Sequence, residues 1–583
     1  MTLLRLPFLS QAIQGDDIYY LAGAEHAQIE PAHPNNVSYV FLGDRVDMSG
    51  HPHPPLNVWA LGALLAAVGD IREVPFHAGY TVFSLLAAWS MWSLAMRFSP
   101  QPLWAALLFV ATPAFVVNGS SLESDVPFVA FWLASIALFV GQRWVLAALA
   151  MVLASLAAYQ AVLLTPILGL CAWLFFRRSR MAWMVVLVPP VAVAMWQGYE
   201  LLSTGKLPVA VLAGHFEAYG FQAIANKLRN AAALGVHATW LVCPALLVPL
   251  VIDVRRKRDP ETLFLLGWIA IFFTGAVAIF FAGSARYLLP MAAPVALLAS
   301  RVRLRWLIPA FAIQMAISLS LAWVNYQHWN GYREFAASLR ELTSSKRVWI
   351  NGEWGLRYYF EADGGLALTN GQAVRPGEMV VSSELGFPVP FTTGGGVMTP
   401  IMEREITATL PLRLIALHTR SAYSTAINGY LPFDISSGPI DRVRAGIMVE
   451  RQPQLSFLPM SAVQADQQIV SGVYALEGTT RWMSGRAVLL LKSPAAAAAL
   501  HVRVFVPDQS PARRVTLLLD GEEVASKAVT PGGVHAIETL PLPPAKPVST
   551  LTITVDTSFS VPGDRRELGV VLVEAGYQTS ATP

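Results

Sequence analysis

Residues 261–290 read ETLFLLGWIAIFFTGAVAIFFAGSARYLLP. A helix that crosses a bilayer needs about 20 apolar residues, and 261–281 supplies them with one charged residue, Glu261, at the start. Just before it stand Arg255-Arg256-Lys257-Arg258. Just after it come a small-residue turn and Arg286-Tyr287-Leu288-Leu289-Pro290. Basic residues collect on the cytoplasmic side of membrane helices. This one stretch therefore sets a span, its direction and a charged segment at its outer end.

Nine further apolar runs extend the pattern: 75–96, 102–117, 125–141, 144–159, 160–176, 182–203, 233–252, 284–300 and 305–325. The whole chain is 54% hydrophobic and 14% charged, with mean hydropathy +0.48. A soluble domain carries about a quarter charged residues, so these values exclude a globule fully exposed to water. A net charge of +3 without a long basic tract gives no basis for nucleic-acid binding. Cys171 and Cys243, the two cysteines, both lie in apolar runs, which excludes a disulfide framework.

Arg97, Arg143, Arg177-Arg178-Ser179-Arg180, Arg255–Arg258 and Arg301/Arg303/Arg305 fall at alternate connections, all placed on the cytoplasmic side. Parity then puts the chain beyond about 326 outside, together with residues 16–74. The apolar stretch 55–69 is too short to cross and reads as a helix along the outer interface. An outer loop at 16–54 requires an earlier helix, so residues 1–15 read as a truncated or missing first transmembrane helix. Low Lys with high Ala, Arg, Pro and Trp suits a high-GC bacterium. On that reading the membrane is the bacterial inner membrane and the outer side is the periplasm.

After 326 the long apolar runs stop. Val348–Asn351, Met379–Ser382, Val515–Leu519, Leu551–Val555 and Gly569–Glu574 read as strands, with turns at Pro531-Gly532-Gly533 and Pro562-Gly563-Asp564. The expected fold class is an α-helical polytopic membrane protein with a C-terminal soluble portion, part mixed α/β and part β-sandwich. Its boundaries are an outer loop with juxtamembrane helices at 16–74, a transmembrane domain of about ten helices at 75–325, a mixed domain at 326–475 and a β-sandwich at 476–583.

Four polar clusters fall at outer helix ends, where charge is costly and calls for a reason. Gly15-Asp16-Asp17-Ile18-Tyr19-Tyr20 offers a carboxylate able to take a proton from an attacking hydroxyl or amine, or simply a helix cap. In Gly50-His51-Pro52-His53-Pro54-Pro55, His53 offers a donor to phosphate or a metal ligand, or the segment is a rigid turn. Glu123 and Asp125 precede a helix and either hold a cation or orient the first acid, or cap the helix. Arg286 either grips phosphate through its planar fork or snorkels to the headgroups. The amphipathic outer segment 204–232 has the length of a lid.

Together these segments resemble the GT-C-fold glycosyltransferases. The resemblance is to the bacterial dolichyl-phosphate-mannose-protein mannosyltransferase-like group (glycosyltransferase family 39-like), which includes the lipid A aminoarabinose transferases. Asp16-Asp17-Ile18-Tyr19 is similar to the acidic pair opening that group's first outer loop, with Asp17 where a Glu is usual. His53-Pro54-Pro55-Leu56 is similar to its Pro-Pro-Leu segment, and Arg286–Pro290 to its Arg-Tyr-Leu-Leu-Pro. The resemblance spans roughly 15–330. It implies inverting transfer of a sugar from a polyprenyl-phosphate donor to an envelope acceptor. Asp16 or Asp17 would be the base and Asp125 or Glu123 its support, while His53, Arg286 and Tyr287 would meet the carrier phosphate. The implied partners are the lipid-linked sugar, membrane lipids and an acceptor that is protein, lipid or polysaccharide. No metal ligands are assigned, though a divalent cation is compatible with the acids. Competing readings are a transporter or flippase for lipid-linked glycans, and a non-catalytic glycan-binding scaffold. The charges stand at helix ends and not at mid-span, which favours the enzyme over a transporter.

Overall fold

The structure, a computed structural model, describes residues 1–578 except 221–222, 257–258, 281, 394–395, 422, 424–428, 451–452, 563 and 565. Parts of the basic run 255–258 and of the turn at 562–564 thus lie outside the described residues.

The chain starts with a short helix α1 (Thr2–Arg5), then α2 (Asp17–His26), a hairpin of β1 (Ser38–Phe41) and β2 (Asp44–Asp47), and α3 (Leu56–Val68). The bundle follows: α4 (Glu73–Phe98), α5 (Pro102–Val110), α6 (Pro113–Asn118), α7 (Asp125–Val140), α8 (Trp144–Ala157), α9 (Leu164–Phe175), α10 (Arg180–Val185) and α11 (Val188–Thr204). It continues with α12 (Pro208–Ala218), α13 (Ile224–Ala238), α14 (Leu247–Arg256), α15 (Pro260–Ile279), α16 (Leu289–Ala299) and α17 (Leu304–Thr343). Trp132, Phe139, Phe264, Trp268 and Phe272 sit at its buried centre. By length and composition, three stretches among the described residues can cross a membrane: Arg180–Thr204, Pro260–Ile279 and Leu304–Thr343.

Two of the apolar runs are not single helices. Run 102–117 breaks at Thr112, which precedes Pro113 and takes the extended backbone that proline imposes on its neighbour. Run 233–252 is a larger correction: the helix ends at Ala238 and resumes at Leu247, with Pro244 inside the gap. Unwound backbone in an apolar bundle must find partners. Gln314 of α17 accepts from the Cys243 amide (2.7 Å) and donates to Leu241 O (3.2 Å), while Thr112 donates to Leu241 O (3.1 Å). One break thus helps to satisfy the other.

The N-terminal segment packs into the same bundle. Arg5 is 2% exposed, and its guanidinium donates to Phe115 O (2.8 Å), Val116 O (2.7 Å) and Ser84 Oγ (3.2 Å). Gly119 leaves room for it, because a Cβ there would overlap the guanidinium carbon.

The long helix α17 does not stop at the expected boundary of 325. It runs 40 residues, and Trp329, Tyr332, Phe335 and Leu339 enter the core of the soluble domain. That domain holds β3 (Val348–Asn351), α18 (Trp354–Ala362), β4 (Leu366–Ala367), β5 (Met379–Ser383), β6 (Gly396–Ile406), a minor pair β7 (Leu412–Arg413) and β8 (Asp434–Ile435), and β9 (Asp441–Glu450). The sheet order is β4-β3-β5-β9-β6, with β4 and β5 parallel to β3 on either side. Asp441 locks helix to sheet: it accepts from Tyr332 OH (2.8 Å), Ser383 Oγ (2.6 Å) and the amides of Leu385 (2.8 Å) and Arg442 (2.7 Å).

The last module begins at β10 (Phe457–Pro459), well before 476, because β10 pairs with the final strand. With β11 (Ile469–Glu477), β12 (Thr480–Lys492), β13 (Ala499–Val506), β14 (Arg513–Leu519), β15 (Glu522–Val529), β16 (Gly533–Glu538), β17 (Val548–Val555) and β18 (Val571–Gln578) it makes one nine-stranded sheet. The sheet curls until its ends nearly meet, where Lys527 Nζ of β15 donates to Ala536 O of β16 (2.8 Å). The expected sandwich is thus a nearly closed sheet around one core.

Arg5→Met and Gly119→Ala each disrupt the buried guanidinium clamp. Each is expected to cost about 3 kcal/mol, the weight of charge-assisted bonds to otherwise unpaired groups. Thermal unfolding in detergent should show a lower midpoint for both variants; unchanged midpoints would rule the clamp out.

Candidate active site

The starts of α2 and α7, and the 3-10 turn Ala285–Leu288 ahead of α16, converge. Asp16 caps α2, Asp125 opens α7, and Glu123 lies in the turn before it. Acids favour such positions because helix N-termini carry partial positive charge. Here they also surround one arginine. Arg286 Nη2 lies 3.2 Å from Asp16 Oδ2, and Nη1 pairs with Glu123 Oε2 and lies 3.6 Å from Asp125 Oδ2. Glu123 Oε1 also accepts the Asp16 amide (3.1 Å). Gly15 makes that approach feasible: its φ is +47°, and a Cβ there would stand 2.6 Å from Glu123 Oε1.

The two adjacent aspartates separate cleanly. Asp16 is 36% exposed in its side chain and lines a cavity. Asp17 is fully buried and accepts from the Gln14 amide (3.1 Å), Ser121 Oγ (3.0 Å) and the Leu122 amide (2.8 Å). It holds the turn that carries Glu123. Burial pushes its carboxyl up to about 7, against the pull of these three donors.

The cavity measures about 430 Å³, within the scale of small-molecule sites. Asp16, Glu123, Arg286 and Tyr287 line one part of its wall. The hairpin lines another with Tyr39 and Phe41, and the soluble domain adds Glu353, Trp354 and Phe387. Segment 204–232 contributes Leu212, His215, Phe216 and Tyr219. His51 lines the cavity, whereas His53 is turned to the Ala157 carbonyl (Nδ1–O 3.2 Å) and stands outside the lining. In this structure the Arg286 guanidinium is engaged by the three carboxylates. Among the described residues no group of three or more His, Cys, Asp or Glu forms a metal site.

Glu353 is the residue that the sequence did not single out. It accepts from Tyr19 OH of α2, the Leu42 amide of the hairpin (2.8 Å) and Arg357 (3.0 Å). Arg357 also donates to Val40 O, and the Asn370 amide donates to Gly43 O (3.0 Å). The soluble domain thus grips the hairpin that walls the cavity. In the sequence, Glu353 falls within the mixed domain expected at 326–475, just after the strand Val348–Asn351. Nothing local marks its contact with α2.

No protein-family model matches the chain, and a comparison with curated proteins finds no match. Among solved structures, it is similar to ArnT from Cupriavidus metallidurans bound to undecaprenyl phosphate. That likeness has TM-score 0.41 and 16% identity over 59% of this chain and 69% of the other. It is also similar to the arabinofuranosyltransferase AftD from mycobacteria (TM-score 0.36, 13% identity), over 99% of this chain and 60% of the other. At these scores they assign neither substrate nor residue roles.

Burial holds the His51 ring down at about 4 and the His53 ring at about 3, below the ordinary 6.5. Both rings are neutral in the folded protein, while the unfolded chain takes up protons below about 6.5. Folding stability from this source is therefore intact above pH 6.5 and falls as pH drops toward 4. A His51→Gln/His53→Gln variant is expected to show a flatter loss of thermal midpoint between pH 6.5 and 4.5. An equal slope in both proteins would refute the assignment.

Proposed function

We propose that the chain is a membrane glycosyltransferase of the GT-C type. It moves a sugar from a polyprenyl-phosphate donor to an envelope acceptor at the periplasmic face of a bacterial inner membrane. The observation that carries this reading is the meeting of Asp16, Glu123, Asp125 and Arg286, from separate segments of the chain, beside one cavity.

In the proposed reaction the donor phosphate takes Arg286 Nη2 from Asp16, which frees that carboxylate. Asp16 then accepts the proton of the acceptor hydroxyl or amine as the acceptor atom attacks the anomeric carbon from the face opposite the phosphate. The bond from anomeric carbon to phosphate oxygen breaks, and the sugar is inverted. The polyprenyl phosphate leaves with its charge met by Arg286, helped by Tyr287. Glu123 and Asp125 hold the guanidinium in place, and Asp17 positions the turn that carries Glu123. His53 stands outside the cavity lining, and its amide donates to His51, which lines the cavity.

The test uses purified protein in nanodiscs with a panel of polyprenyl-phosphate sugars and envelope extract. Asp16→Asn is expected to keep donor binding and to lower turnover about 10²–10⁴-fold, the contribution of a general base. Arg286→Lys should weaken donor binding, since an ammonium does not reproduce a planar fork. Full turnover by Asp16→Asn would overturn the assignment of the base. Donor binding without any turnover in wild type would leave a transporter or scaffold.

A further inference from the structure

The cavity is rich in aromatic side chains, above all on the wall formed by the hairpin and the soluble domain. Nine of its 26 lining residues are Phe, Tyr or Trp, against 10% of the whole chain. Among the lining groups with no hydrogen bond to a described residue are Tyr39 OH, the Trp354 indole N–H and His51 Nε2. His51 and Trp354 are each 9% exposed. The backbone amide of His53 donates to His51 Nδ1 (3.3 Å), so the neutral ring carries its proton on Nε2 and presents an N–H. None of the three is sealed from the cavity, so each can pair with a ligand that enters it.

The placement of Trp354 adds to this. It follows the C-terminal end of β3, which lies between the parallel β4 and β5. The chain leaves β3 toward one side and later returns on the other, and the crevice outside such strand ends is where α/β sheets bind ligands. Trp354 holds φ +65°, a conformation that a bulky L-residue adopts only when its surroundings impose it. Trp329 and Phe387 stand edge-on to its ring, at centroid distances of 6.2 and 5.2 Å.

We propose that this wall is an acceptor subsite for a carbohydrate. A sugar ring lies against the aromatic faces, and its hydroxyls pair with Tyr39, Trp354 and His51. The proposal rests on the transferase reading and narrows its acceptor to a glycan. An isoprenoid tail would leave the three polar groups unpaired. A peptide would ask for open main-chain partners such as a strand edge, and this wall offers side-chain groups and ring faces instead.

The experiment titrates the full chain in nanodiscs with linear arabinose, mannose and glucose trisaccharides, followed by saturation-transfer NMR. At least one trisaccharide is expected to bind saturably. Tyr39→Phe keeps the ring and removes its hydroxyl; Trp354→Phe keeps an aromatic face, smaller than the indole, and removes the N–H. Each is expected to weaken binding about five- to ten-fold, the weight of one neutral hydrogen bond. Unchanged thermal midpoints would show that both variants fold. Absence of saturable binding by wild type overturns the proposal, as does unchanged affinity in both variants. Competitive displacement by sugar-free polyprenyl phosphate would assign the wall to the lipid tail. Glycosylation of a Ser/Thr peptide with no trisaccharide accepted would assign it to a protein acceptor. Trisaccharide binding that persists while Asp16→Asn keeps full turnover would overturn the choice of base and leave the carbohydrate site standing.

Discussion

Arg286 stands among three carboxylates, and the architecture around the cavity follows from keeping it there. One guanidinium cannot neutralise three acids, and at 13% side-chain exposure water screens them poorly. The arrangement holds because each acid is fixed by its own segment. Asp16 and Asp125 sit at helix N-termini, and Glu123 accepts the Asp16 amide. Asp17 gathers three donors behind them and fixes the turn. The residual negative charge favours protons and cations at the cluster. A phosphate ester arriving at Arg286 must therefore displace a carboxylate, which is the kind of exchange that couples donor binding to release of a base.

Much of this was legible from the sequence because membrane helices punish charge. Asp16, Glu123, Asp125 and Arg286 stood out because each interrupts or borders an apolar run. Adjacent Asp16 and Asp17 could not be told apart, since neighbouring helical residues point about 100° from each other and the pattern says only that one is turned inward. The structure separates them through Ser121 and Leu122, residues about a hundred positions away. Glu353 was not legible, because its partners are Tyr19 and Leu42, more than 300 residues upstream. His51 and His53 share one motif, and only the direction of each ring distinguishes them.

The bundle follows the same logic. Long apolar runs such as 75–96 and 261–281 correspond to the continuous helices α4 and α15. Runs 102–117 and 233–252 mislead because hydropathy averages over Pro113 and Pro244. The breaks persist only because Gln314, Thr112 and Arg5 serve the exposed peptide groups. These partners come from distant segments, so no window on the sequence contains them. The β-module reads well strand by strand but poorly at its edges. Its first strand, Phe457–Pro459, is defined by pairing with its last.

Helix α17 is continuous from Leu304 to Thr343, about 60 Å at the rise of an α-helix. It carries the apolar face of the bundle at one end and the Trp329, Tyr332 and Phe335 face of the soluble domain at the other. Its two halves are therefore phase-locked like the ends of a shaft. Adding one residue between them would turn the outer domain by about 100° and swing Glu353 away from Tyr19. Exchange of outer domains between such proteins is therefore confined to junctions that preserve the helical phase, with whole-heptad steps as the natural unit.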